Sequence, residues 1–112
     1  MHNQYFKKGI SLFIFSFLLL THFAGAQQKF TISGYLKDAS SGESLIAATV
    51  GVKGTTTGTS SNDYGFFSIT LPKRNYALTF SYLGYFDLDT TVNLQGDIRL
   101  NINLKSEAQM LK

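Results

Sequence analysis

The stretch from Ile32 to Leu71, ISGYLKDASSGESLIAATVGVKGTTTGTSSNDYGFFSITL, decides the fold. Together with the preceding Phe30, Ile32, Gly34 and Leu36 alternate with Thr31, Ser33, Tyr35 and Lys37. A period of two puts one set on a buried face and the other, mostly polar, on the opposite face, which predicts a strand. Asp38-Ala39-Ser40-Ser41-Gly42 follows, where Asp and Ser side chains can bond nearby backbone and Gly42 can take positive φ, so the chain reverses. Ala48, Val50 and Val52 against Thr49, Gly51 and Lys53 give a second strand. Gly54 to Ser61 is polar, β-branched and twice interrupted by glycine, which reads as a loop with a short edge strand near Thr59. Asn62-Asp63-Tyr64-Gly65 then turns into a strand with Phe67, Ile69 and Leu71 on one face, until Pro72 removes a backbone donor.

Downstream the same period continues. Tyr76, Leu78, Phe80 and Tyr82 form a half-buried strand after a Lys73-Arg74-Asn75 turn, and Gly84 punctuates its end. Leu88 to Leu94 is a weaker strand, and Ile98, Leu100, Ile102 and Leu104 make the cleanest alternation in the chain. No helical period intervenes between Gln27 and Lys105. Six or seven short strands with regularly spaced turns predict an all-β fold, a small antiparallel β-sandwich over residues 27–104. Residues 105–112 break the pattern and read as a tail or the start of a linker.

Upstream, residues 1–26 have the three parts of an export signal: Lys7 and Lys8, an apolar run from Ile10 to Leu20, and the small-residue ending Ala24-Gly25-Ala26. Cleavage after Ala26, with Ala24 as the other small recognition residue, starts the mature chain at Gln27. The apolar run is shorter than the roughly 20 residues of a membrane-spanning helix, so no membrane span is expected in the mature chain. The chain has no cysteine. There is then neither a lipid-carrying thiol nor a disulfide framework, and stability must come from packing or from attachment to something larger. The expected localisation is exported, in the periplasm or at the outer membrane. Of the net charge of +3, two units leave with Lys7 and Lys8. The remaining basic residues are scattered singly, which argues against nucleic acid as a partner.

Both histidines, His2 and His22, fall inside the signal, and the chain has no tryptophan. A Ser-His-Asp or Cys-His site would lack its base, and a zinc site its nitrogen and sulfur ligands. Asp87 and Asp89 could suggest a Ca²⁺ pair or an acid and base, but two neighbouring carboxylates are fewer oxygen ligands than a hard cation requires, and a solvated strand face is the favoured reading. Asp63 is read as a turn residue whose side chain bonds backbone while Gly65 supplies the unusual φ. The expectation is therefore no catalytic residues, no cofactor and no metal. Phe67, Tyr76, Phe80 and Tyr82 lie on inward faces, whereas Tyr35, Phe66, Tyr85 and Phe86 do not, and these four form the candidate binding surface for a glycan or a protein.

The ordered series Ile32-Ser33-Gly34-Tyr35-Leu36-Lys37-Asp38, Gly42-Glu43-Ser44-Leu45, Gly54-Thr55-Thr56-Thr57-Gly58-Thr59, Asn62-Asp63-Tyr64-Gly65-Phe66-Phe67, Leu71-Pro72 and Tyr82-Leu83-Gly84-Tyr85 resembles the carboxypeptidase-regulatory-like domain. The resemblance covers Phe30 to Leu104 and implies a transthyretin-like β-sandwich. Arg74 departs from it, where such domains commonly carry glycine; Asn75 is then the candidate for the tight turn. A domain of this type directly behind an export signal resembles the N-terminal extension of TonB-dependent outer-membrane receptors of the starch-utilisation type, where it precedes a plug and a β-barrel that imports nutrients. The implied function is a non-catalytic accessory domain, a truncated or split receptor piece, with a receptor plug and barrel or another envelope protein as partner. A stand-alone secreted or periplasmic module for a glycan or envelope protein is the alternative. A transthyretin-like hydrolase is disfavoured by the missing histidines.

Overall fold

In the computed structural model, residues 27–108 are described, and the expected signal with Ala24 and Ala26 lies outside them, as do residues 109–112. Eight strands follow in order: β1 (Lys29–Asp38), β2 (Thr49–Val52), β3 (Gly58–Ser60), β4 (Phe66–Pro72), β5 (Arg74–Ser81), β6 (Leu88–Leu94), β7 (Ile98–Arg99) and β8 (Ile102–Leu104). They form two sheets, one with β1 between β4 and the β7/β8 pair, the other in the order β3-β2-β5-β6. The expected sandwich is present, with the short strand at Thr59 as β3.

Apolar residues of both sheets face each other. Ile32 and Leu36 of β1, Phe67, Ile69 and Leu71 of β4, and Ile102 and Leu104 of β8 close on Val50, Leu78, Phe80, Val92 and Leu94 from the other sheet. Phe67 and Phe80 meet edge-to-face across the gap with centroids 5.5 Å apart, a geometry that adds to area burial. Among the described residues the buried side chains of both sheets, with Leu45 and Ala48 between them, form a single cluster, the kind of shared core around which an independently folding unit is built.

The Ile98–Leu104 alternation is divided into β7 and β8, and both run parallel to β1, whereas β1 and β4 pair antiparallel. The division has a local cause. A Cβ on Gly34 would fall 1.6 Å from the Leu100 carbonyl oxygen, so only a glycine lets the final strand cross β1 at this height. There the ladder changes hands: Leu100 N–H donates to Ser33 O at 2.8 Å, while Tyr35 N–H donates to the Asn101 side-chain Oδ1 at 3.2 Å.

Lys73 alone separates β4 from β5, and these strands belong to different sheets, so the chain turns a corner between layers. Asn75 is already in β5 and has no positive φ; it does not supply a tight turn. The corner is held instead by the Tyr76 hydroxyl, which donates to Pro72 O at 2.6 Å, with the Arg74 guanidinium 5.5 Å above the Tyr76 ring.

Candidate recognition surface

Residues Tyr35, Phe66, Tyr85 and Phe86 do not form one patch. Tyr35 and Phe66 are direct cross-strand partners on β1 and β4, on the outer face of the first sheet, with centroids 5.4 Å apart in an edge-on arrangement. Tyr35 is 41% exposed, and Lys37 Nζ stands 6.0 Å from its ring centroid. Further along the same face, Thr31 and Thr70 join hydroxyls at 2.8 Å. This face offers one aromatic pair, a cation and hydroxyls, the components for contact with a flat polar partner.

Tyr85 has a different role. Asp38, at the end of β1 and nearly buried, accepts from the Tyr85 hydroxyl at 2.6 Å through Oδ2. Its Oδ1 accepts from Ser40 N–H at 2.8 Å, Ser41 N–H at 2.9 Å and the Ser40 hydroxyl at 3.0 Å. The Tyr85 hydroxyl, then the Ser41 and Ser40 amides, hold the Asp38 carboxyl well below the usual carboxylate range. The same bond, then burial and the Asp38 charge, push Tyr85 up to about 12. A carboxylate and a phenol displaced this far from neutrality are poorly poised to exchange protons with a substrate, so the pair acts as a clasp. The Tyr82 ring leans on Tyr85 at 5.3 Å.

The clasp also fixes the chain beyond β8. Tyr85 bridges to Ser106, Phe86 N–H donates to Lys105 O at 2.9 Å, and Glu107 N–H donates to Gly84 O at 2.9 Å. Lys105, Ser106 and Glu107, read from the sequence as opening a tail or a linker, are therefore fastened across the Gly84 turn, where φ is +86°. Phe86, 43% exposed, borders a separate depression with Leu88 and Lys105. Leu83 at the turn's tip is 97% exposed.

The other candidates resolve into structural roles. In the Asn62–Gly65 turn it is Asn62, rather than Asp63, whose side chain accepts backbone N–H groups, from Tyr64 at 2.9 Å and Phe66 at 3.0 Å. Gly65 supplies φ of +76°, as expected. Asp89 accepts from the Thr79 hydroxyl at 2.7 Å and from Lys53 Nζ at 3.1 Å; these partners, Thr79 first, lower its pKa. Asp87 precedes β6, so the two carboxylates do not share a strand face. Among the described residues no group of three His, Cys, Asp or Glu could hold a metal ion. Periodicity gave no sign of Ser61: its buried hydroxyl donates to Leu45 O at 2.6 Å and accepts from Ala48 N–H at 2.9 Å. Between those contacts Ala47 takes a left-handed φ of 61°. A serine in a polar loop carries no sequence signal for such a bridge.

Two curated relatives are TonB-dependent receptors. TonB-dependent receptor P3 of Formosa agariphila is 33% identical over 97 residues, covering 87% of this chain and 9% of its own length. TonB-dependent receptor SusC of Bacteroides thetaiotaomicron is 35% identical over 109 residues, covering 97% of this chain and 10% of its own. The chain thus spans about a tenth of the length of the receptors it matches. In fold, it resembles a chain of a type II cohesin–X-dockerin complex from Acetivibrio cellulolyticus, with a TM-score of 0.58 at 22% identity over 67% of this chain and 56% of that one. The profile of the CarboxypepD_reg-like domain matches residues 32–112, and the chain belongs to that family.

Proposed function

We propose that this chain is a non-catalytic accessory domain of a TonB-dependent outer-membrane nutrient receptor, exported to the envelope and working with a plug and barrel encoded in the same or a neighbouring reading frame. The observation that carries the reading is the near-complete coverage of this chain by two receptors of which it matches only about a tenth. The geometry supports it: the carboxylates at Asp38 and Asp89 are spent on internal bonds, and the segment after β8 is anchored to the body of the domain. An anchored exit lets a sandwich hold a fixed attitude to whatever follows.

Sequencing beyond codon 112 tests the proposal. A plug and barrel frame, continuous or shifted, is the expected result. Finding neither would overturn the receptor assignment and favour a stand-alone module, for which the exposed Tyr35–Phe66 pair beside Lys37 is the supporting feature. That second reading expects purified 27–112 to bind a glycan or an envelope protein, and Tyr35→Ala to abolish the binding. Hydrolysis of a purine-derived lactam by the same protein would overturn the non-catalytic assignment.

A further inference from the structure

Strand β6 ends its sheet: among the described residues it pairs with β5 alone. Which of its backbone groups are free follows from the registers. Lys53 N–H donates to Ala77 O, extending the β2–β5 ladder in which Val52 faces Leu78. Hydrogen-bonded pairs alternate along an antiparallel ladder, so odd-numbered β5 residues point their backbone at β2 and even-numbered ones at β6. In the β5–β6 register Tyr76 faces Val92 and Leu78 faces Thr90. Even-numbered β6 residues are therefore satisfied by β5, and Asp89, Thr91 and Asn93 turn their N–H and C=O groups outward. Of those six groups, Asn93 O is engaged, by Gln95 N–H at 3.1 Å.

Edge strands are ordinarily blunted by lysine, proline, a bulge or shortness. The other edges of the sandwich conform. Strand β3 has three residues and β7 two. At β4, Asn62 N–H caps Phe66 O, Asn62 Oδ1 takes Phe66 N–H, and Pro72 has no donor. Strand β6 has seven residues, LDTTVNL, with no lysine, arginine or proline.

We propose that β6 is a homodimer interface, pairing antiparallel with β6 of a second copy about a two-fold axis through Thr91. The sequence is self-complementary in that register. Thr91 meets its own copy, and Asp89 meets Asn93, so the strand's one charge never faces its like. Asp89 is moreover already compensated by Lys53 at 3.1 Å. On the inner face Thr90 meets Val92, and Leu88, 38% exposed, meets Leu94. All three outward-facing residues fall on hydrogen-bonded pairs of the new ladder, Asn93 O accepting the copy's Asp89 N–H on its second lone pair beside Gln95 N–H, and the two sheets join into one continuous eight-stranded sheet. A different register by two residues would either lose a pair or set Asp89 nearer its copy.

The test uses purified 27–112 in sedimentation equilibrium from micromolar to millimolar concentration. A reversible monomer–dimer equilibrium is expected. Thr91→Pro removes an N–H that β5 does not use, and with it two inter-subunit bonds; Thr91→Lys sets two ammonium groups face to face. Each raises the dimer dissociation constant about tenfold or more, with an unchanged circular-dichroism spectrum showing that the monomer is intact. Because the chain has no native cysteine, Thr91→Cys supplies a positive readout: directly opposed residues of a hydrogen-bonded pair have Cα atoms about 5.5 Å apart, within disulfide reach. Mild oxidation then yields a covalent dimer, whereas Thr70→Cys on the β4 edge stays largely monomeric. A monomer at every concentration overturns the proposal. So does a dimer indifferent to Thr91→Lys, or cross-linking through Thr70→Cys in place of Thr91→Cys.

Discussion

Replacing Gly34 by alanine is expected to cost far more than the same change at Gly51, although both glycines sit inside strands. At Gly34 the added methyl would lie 1.6 Å from Leu100 O, and real Cβ atoms keep at least 3.0 Å from such an atom. The backbone of the final strand must then retreat by about 1.4 Å. That retreat breaks the Leu100–Ser33 and Tyr35–Asn101 bonds, each about 1 kcal/mol net. It also withdraws part of Ile102 and Leu104 from the core, whose full burial is about 1.5–3 kcal/mol each. The total is about 3–4 kcal/mol, a large share of the roughly 4–12 kcal/mol expected for a domain of this size. At Gly51 nothing lies within 4 Å of the added methyl, and alanine there is neutral or stabilising by about 0.5 kcal/mol. Urea unfolding of 27–112 reads the difference: with a slope of about 1–1.5 kcal/mol per molar for so small a protein, Gly34→Ala lowers the midpoint by about 2–4 M or leaves the chain unfolded. Equal midpoints for the two variants would refute the close crossing as the reason for glycine at position 34.

Three further outcomes follow from the clasps. Because Asp38 is held below its ordinary value of 3.8, the stabilisation it brings is fully present above that pH and is lost as pH falls from there toward the lowered value; Tyr85→Phe and Asp38→Asn both flatten the acid limb of the stability–pH curve measured by thermal unfolding. Ala47→Gly relieves a left-handed φ of 61°, a strain of about 1–2 kcal/mol partly offset by the greater freedom of unfolded glycine, so it raises stability by up to about 1 kcal/mol in urea titration; a loss would show that Ala47's methyl packs usefully. Ser61→Ala leaves Ala48 N–H and Leu45 O without their partner and costs about 1–3 kcal/mol, readable as faster amide exchange at Ala48.

The strands were legible because each side of the sandwich imposes a period of two over segments long enough to show it, and Leu88–Leu94 was found with its full extent. What escaped the sequence is what depends on distant partners. Nothing near Leu100 announces the break between β7 and β8, since its cause is Gly34 on another strand. The hydrogen bond from Tyr85 to Asp38 spans 47 positions, so Tyr85 read as a surface aromatic when it is a tether. Within the Asn62-Asp63 pair, either side chain suits an Asx turn; backbone direction alone selects Asn62. Of the four aromatics read as a surface, Tyr35 and Phe66 do meet, because cross-strand register brought them together and their sequence positions did not.

The parallel placement of β1 against β7 and β8 gives the domain a mechanical character. Tension applied to the start of β1 and the end of β8 pulls these neighbouring strands along their own axes in opposite directions. Their hydrogen bonds, Leu100 to Ser33 and Ala39 to Leu104 among them, are then loaded together in shear and must fail together, whereas a hairpin pulled from its open end fails one bond at a time. Resistance to extension is set by the unfolding rate under load and not by equilibrium stability. A sandwich built this way transmits a pull between its two ends as a stiff link.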